Sequence, residues 1–203
     1  MKLFGTHTSP YARKVRIVLA EKKIDYDLVI DVPRSPDSAV PVHNPLGRIP
    51  VLVLDDGTPV FDSPVIVEYL DNVTPNNKLM PQPNRERMEV KRWEALADGL
   101  LDSAVAIRNE SLRKAKEQNV EWIALHNQAI TRTLTFMADE LGDLAYCMGT
   151  HFGLADIAVG SALGYLDFRF PDIAWREAHP NLARLYEKLE QRPSFQETAP
   201  RDA

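Results

Sequence analysis

Eleven of the fifteen prolines in this 203-residue chain fall in residues 1–83, and none occurs from Asn84 to Phe170. An interior proline costs a helix about 3 kcal/mol, so long helices belong in the proline-free stretch. Two regimes share one chain, joined by Thr74-Pro-Asn-Asn-Lys-Leu-Met-Pro-Gln-Pro83, which cannot continue a regular element. Neither regime is a charge specialist: residues 1–80 hold 9 basic and 10 acidic side chains, residues 81–203 hold 15 and 19. The net charge of -5 gives no general attraction to nucleic acid or to an anionic membrane, and 44% hydrophobic residues suit a globular chain with a sizeable core. The start, MKLFGTHTSPYARK, has no signal-like apolar stretch, and no run reaches the roughly 18 apolar residues of a membrane span. A cytoplasmic protein with no membrane or nucleic-acid partner is expected. Cys147 is the only cysteine, which excludes intrachain disulfides, dithiol redox chemistry and a zinc site of paired thiolates. The five histidines are scattered without metal-ligand spacing, so no metal is expected.

In the first regime Lys2–Gly5 reads as a strand, Pro10–Lys23 as a helix with Val15, Val18 and Leu19 on one face, and Tyr26–Ile30 as a second strand parallel to the first. After a proline-containing loop, Val51–Leu54 and Pro59–Phe61 flank the turn Asp55-Asp-Gly-Thr58, and Pro64–Leu70 closes the unit as a helix with Ser63 available to cap it. This order predicts a thioredoxin-like α/β domain. The second regime reads as helices over 85–113, 122–141, 154–165 and 181–191, the third of them apolar almost all round and so buried in a bundle. The expected division is a thioredoxin-like domain over 1–78, a linker over 79–84 and an all-α domain over 85–203.

Three segments can carry chemistry. Ser9-Pro10 stands at the start of the first helix, where unpaired N–H groups and about half a positive charge can hold an anion, although helix capping alone accounts for the same letters. Asn44-Pro-Leu-Gly-Arg-Ile-Pro50 runs directly into a strand, and a cis peptide at Ile49-Pro50 would turn the Ile49 backbone outward to pair with a peptide-like ligand. A trans proline at a strand start is the alternative. Phe61-Asp-Ser-Pro64 is a second helix start, at which Ser63 can bind a carboxylate and Asp62 an ammonium. An extended, zwitterionic, thiol-bearing peptide fits all three.

These residues resemble the glutathione transferase superfamily over essentially the whole chain. Ser9-Pro-Tyr-Ala12 takes the place of the Cys-Pro-Tyr-Cys motif of the related glutaredoxins, and Ser9 to Ile17 resembles the serine-type classes, in which this serine hydrogen-bonds the glutathione sulfur. Asn44 to Val51 resembles the family's cis-proline segment, and Asp62-Ser63 its Glu/Gln-Ser pair, with an acid one methylene shorter. The resemblance implies the domain order βαβ-α-ββα followed by an all-α bundle. It also implies glutathione as co-substrate, held by Ser9, Pro10, Ile49, Pro50, Asp62 and Ser63, with Arg34 and Arg48 as candidates for its carboxylate. Tyr11, Trp93 and Phe168 are candidates to wall a pocket for a small hydrophobic electrophile, unless they are core. Gly153-Leu-Ala-Asp156 stands where the family has a Ser/Thr-x-x-Asp capping box, with Asp156 structural. The expected activity is conjugation of the glutathione thiolate to an electrophile, as in detoxification, by a homodimer. A binding or regulatory protein that keeps the fold without turnover is the alternative.

Overall fold

The computed structural model describes residues 1–202, and the chain divides into two compact units, one formed by Met1–Pro81 with Glu190–Ala203 and the other by Gln82–Leu189. In the first, β1 (Lys2–Gly5) leads to α1 (Pro10–Lys22), β2 (Asp27–Ile30), α2 (Val40–His43), β3 (Val51–Val53), β4 (Pro59–Val60) and α3 (Ser63–Val73). The strand order is β2-β1-β3-β4. β1 runs parallel to β2, with Leu3 opposite Leu28, and antiparallel to β3, with Leu3 opposite Leu52; β4 pairs antiparallel to β3, with Val60 opposite Leu52. The central strands are the most buried, Leu3, Val51 and Leu52 being inaccessible to solvent. Gly5 ends β1 because a Cβ there would lie 2.9 Å from the Ala12 side chain, so only glycine lets the strand end this close to α1.

Two features of this unit differ from the sequence reading. The segment expected as a linker is stitched down: Leu79 and Met80 are buried, and their N–H groups donate to the Asp71 carboxylate at 2.9 and 3.3 Å. Beside them the buried Lys22 ammonium bonds Asp71 Oδ1 at 3.1 Å and the carbonyls of Thr74 and Asn76. A buried cation must be paired, and the chain after α3 folds over to supply the oxygens. The second difference is at the end of the chain. Residues 190–202 group with the first unit, not with the helical one, and α9 (Pro193–Glu197) packs against α1.

The second unit holds α4 (Asn84–Ser111), a single 3₁₀ turn at Ala115–Glu117, α5 (Val120–Leu141), α6 (Leu154–Arg169), α7 (Trp175–Ala178) and α8 (Pro180–Glu190). α4 packs against both α5 and α6. Every residue of α6 from Leu154 to Leu166 is buried, as its apolar circumference requires. Trp93 is 3% exposed on the same α4 stripe as Ala97, Leu100, Leu101 and Ala104. It is a core residue, which corrects its candidacy as a pocket wall: helical spacing placed it on the inward face. Among the described residues no helix is long and apolar enough to cross a membrane.

Candidate functional site

Ser9 is the N-cap of α1, with extended backbone (φ -75, ψ 119), and Pro10 opens the helix. The Ala12 N–H donates to Ser9 Oγ at 3.2 Å. That bond uses an acceptor position of the hydroxyl and leaves its hydrogen available to donate outward. The loop before it is tied internally, since the Ser9 N–H reaches Thr6 Oγ1 at 3.2 Å and Thr6 Oγ1 lies 3.1 Å from Thr8 Oγ1. The first turn of α1 carries no acid, and Arg13, Lys14 and Arg16 follow it, all buried. With no acid in that turn, the amino end of this helix keeps the positive end of the helix dipole.

The second segment is organised by Asn44, which is 1% exposed and uses both ends of its amide. Its Oδ1 accepts from the Leu46 N–H at 3.0 Å and its Nδ2 donates to the Arg48 carbonyl at 2.8 Å. The Gly47 N–H closes the turn on the Asn44 carbonyl at 2.9 Å, with Gly47 at φ +61, a left-handed position that suits glycine. The Ile49–Pro50 peptide that follows is cis. Ile49 packs against an apolar cluster of Phe4, Val40 and Val51, which Phe61 also joins, so one small core fixes the backbone of both loops.

At the third segment the helix begins one residue earlier than expected. Ser63 is the first residue of α3, and Asp62, joined to Phe61 by a cis peptide, is its N-cap. The expectation that Ser63 is the cap is corrected. The Asp62 side chain makes no capping bond and is exposed, so the acid is open to an incoming partner.

Register brings the three segments together. The C-terminal end of β1, which leads to Ser9, lies beside the N-terminal end of β3, which follows Pro50, because Phe4 pairs with Val51. The C-terminal end of β4, which leads to Asp62 and Ser63, lies at that same end, because Val60 pairs with Leu52. Two helix starts and the strand start that follows Pro50 thus share one end of the sheet. Arg48 is exposed within the second segment, and Arg34 is exposed in the loop after β2, whose C-terminal residue pairs with Gly5. Tyr11 is half-buried in the first turn of α1. Phe168 belongs to the other unit, half-buried on α6 with the Arg169 guanidinium 3.9 Å over its ring. Asn44 was not among the expected site residues, although asparagine before Pro-x-Gly is a turn signal that points to it. In the loop before Ser9, burial, with Arg16 and Arg201 nearby, holds the His7 imidazole below the ordinary 6.5.

The single cysteine plays no part here. Cys147 is buried in the helical unit, where burial and then the neighbouring Asp156 push its thiol well above the usual range. The Asp156 carboxylate accepts from the Gly153 N–H at 2.9 Å and the Cys147 N–H at 2.8 Å, closing the start of α6.

The family description "Glutathione S-transferase, N-terminal domain" matches residues 8–73, and "Glutathione S-transferase, C-terminal domain" matches residues 120–188. The chain belongs to the glutathione S-transferase family. A glutathione S-transferase from Methylobacillus flagellatus KT, solved with glutathione bound, is 48% identical, with a TM-score of 0.96 and coverage of 98% of this chain and 99% of that one. Another, from Methylobacterium radiotolerans JCM 2831 in complex with glutathione sulfonate, is 40% identical, with a TM-score of 0.95 and coverage of 100% and 95%. The uncharacterized GST-like protein YibF of Escherichia coli K12 is 37% identical over 200 residues, 98% of each chain.

Proposed function

We propose that this protein is a glutathione transferase that binds glutathione at the shared end of its sheet and conjugates the thiolate to a small electrophile. The observation that carries this reading is the convergence there of Ser9, the cis Ile49–Pro50 turn and the Asp62-Ser63 helix start. Glutathione in one solved relative and glutathione sulfonate in another support it. The tripeptide lies extended, its γ-glutamyl carboxylate on the N-terminal amides of α3 with Ser63 and its ammonium on Asp62. Its backbone pairs with Ile49, its glycine carboxylate faces Arg48 or Arg34, and its sulfur meets the Ser9 hydroxyl beside Pro10. The electrophile is apolar, with Tyr11 against it. The protein acts in the cytoplasm as a homodimer.

The chemistry is ionisation followed by attack. A free cysteinyl thiol has a pKa of about 8.5, so only about 3% is thiolate at pH 7. Lowering it by two units requires about 2.7 kcal/mol of preferential anion stabilisation, within reach of one hydroxyl donor and a helix N-terminus. The thiol proton passes to solvent, the sulfur lone pair forms a C–S bond, and the leaving group departs with the electron pair of the bond it gives up. Ser9 donates a hydrogen bond throughout and forms no covalent bond.

The test is Ser9→Ala, assayed against a reactive aryl halide with glutathione binding followed by calorimetry. Loss of one donor to a charged sulfur is worth about 2 kcal/mol, so kcat falls roughly thirty-fold while binding persists. An unchanged rate removes the role given to Ser9. Glutathione binding without turnover of any electrophile by the unaltered protein identifies a binding protein instead.

A further inference from the structure

The last residues of the chain run back along α1 towards the loop that carries Ser9. At the carboxyl end of α1, Glu21 receives the Arg192 guanidinium through two bonds of 2.9 and 2.8 Å and the Ser194 hydroxyl at 2.6 Å. Further along, Arg13 donates to the Phe195 carbonyl at 3.3 Å, with its guanidinium 5.6 Å over the Phe195 ring, and Arg16 donates to the Glu197 carbonyl at 3.3 Å. These carbonyls lie in the last turn of α9, where oxygens lack helical partners; the two guanidiniums donate to them, and the Thr198 hydroxyl also reaches the Phe195 carbonyl at 3.5 Å. Beyond α9 the chain reaches the amino side of α1, where Arg201 Nη2 stands 3.5 Å from His7 Nε2. His7 lies within the Thr6–Ser9 loop, and its Nδ1 is buried without a partner among the described residues. Since arginine can only donate, the nitrogen it meets is the unprotonated one.

We infer that residues 190–202 form a strap that holds the Ser9 loop in place, with Arg201 on His7 as the positioning contact, so that the glutathione site built by the first residues is completed by the last. The inference rests on the thiolate reading above. The loop is otherwise tied mainly to itself, through Thr6, Thr8 and Ser9, and the strap gives it an external anchor. Placement matters here because a hydroxyl displaced by about 1 Å from a reacting atom can forfeit up to 10²-fold in rate. Arg201 touches neither sulfur nor electrophile. It acts through His7.

The experiment compares the unaltered chain with Arg201→Ala, Arg201→Lys and a chain ending at Ala199, which keeps α9 and its anchors. The readouts are the ultraviolet absorbance of the bound glutathione thiolate, kcat, and KM for glutathione. Arg201→Ala and the shortened chain are expected to lose roughly five-fold in kcat and in thiolate signal with KM moved less than about two-fold, and Arg201→Lys to recover most of the loss. The inference is overturned if Arg201→Ala keeps the full kcat and thiolate signal, if its loss lies wholly in KM, or if Arg201→Lys is as impaired as alanine. Absence of a thiolate signal in the unaltered protein with glutathione bound overturns the transferase reading, and this inference with it. A signal that Arg201→Ala leaves intact overturns this inference alone.

Discussion

The helix that starts at Pro10 and the helix that starts at Leu154 face the same problem, unpaired backbone N–H groups and about half a positive charge, and they meet it in opposite ways. At α6 an acid in the first turn, Asp156, is wholly buried and accepts bonds from Gly153 and Cys147, so the positive end is neutralised from within. At α1 the first turn has no acid and the cap is a neutral hydroxyl. The one is a closed structural joint. The other leaves its positive end without a resident acid, and α3 lies between the two, with no acid in its first turn but the exposed carboxylate of Asp62 at its cap. On the proposed reading, what makes the start of α1 a site is the absence of an acid in its first turn, more than the presence of a cap.

Asp156→Ala breaks the closed end and has the largest expected effect on stability. It leaves the Gly153 and Cys147 N–H groups without their acceptor in a buried place, a cost of about 3 kcal/mol in urea unfolding. The fraction that stays folded keeps the same acidity of bound glutathione. A loss of thiolate formation at full folding would erase the distinction between the two ends. Asp62→Asn acts on the open side. Without the charge-assisted bond to the glutathione ammonium, about 1.5 kcal/mol, affinity by calorimetry falls roughly ten-fold with no change in unfolding midpoint.

The smallest effect concerns the carboxyl end of α1. Burial alone would raise the Glu21 pKa, but hydrogen bonds from Arg192 and Ser194 outweigh it and hold the carboxyl below 4.5. A carboxylate with a depressed folded-state pKa stabilises the protein above the unfolded value and loses that contribution as pH falls through the folded one. Arg192→Ala is therefore expected to lower stability modestly at neutral pH, with the gap from the unaltered protein narrowing below pH 4.5. A gap that stays constant in acid would place the cost elsewhere than in this ion pair.

Local signals carried much of this molecule. Ser9-Pro10 marked a helix start, Asp55-Asp-Gly-Thr58 a hairpin, and the apolar circumference of 154–165 a buried helix, because each depends on neighbours in sequence. The strap was not legible, since Arg13 and Arg16 hold it by backbone carbonyls and a carbonyl has no residue identity. Burial of Lys14 and Lys22 was hidden for a related reason: a cation reads as surface until the chain that returns to cover it is known. Trp93 illustrates the limit of periodicity, which gives a face but not whether that face meets core or ligand. Asp62 and Ser63 read as a pair, yet the cap falls on Asp62, because either residue type suits a helix cap and the letters do not choose between them.

The most direct measurement is a spectroscopic titration of the glutathione thiol in its complex with this protein and with Ser9→Ala. An open, electropositive amino end of α1 predicts half-ionisation about two units below the free value of about 8.5, and a return most of the way towards it in the variant. A bound thiol that titrates as it does in water would contradict the account.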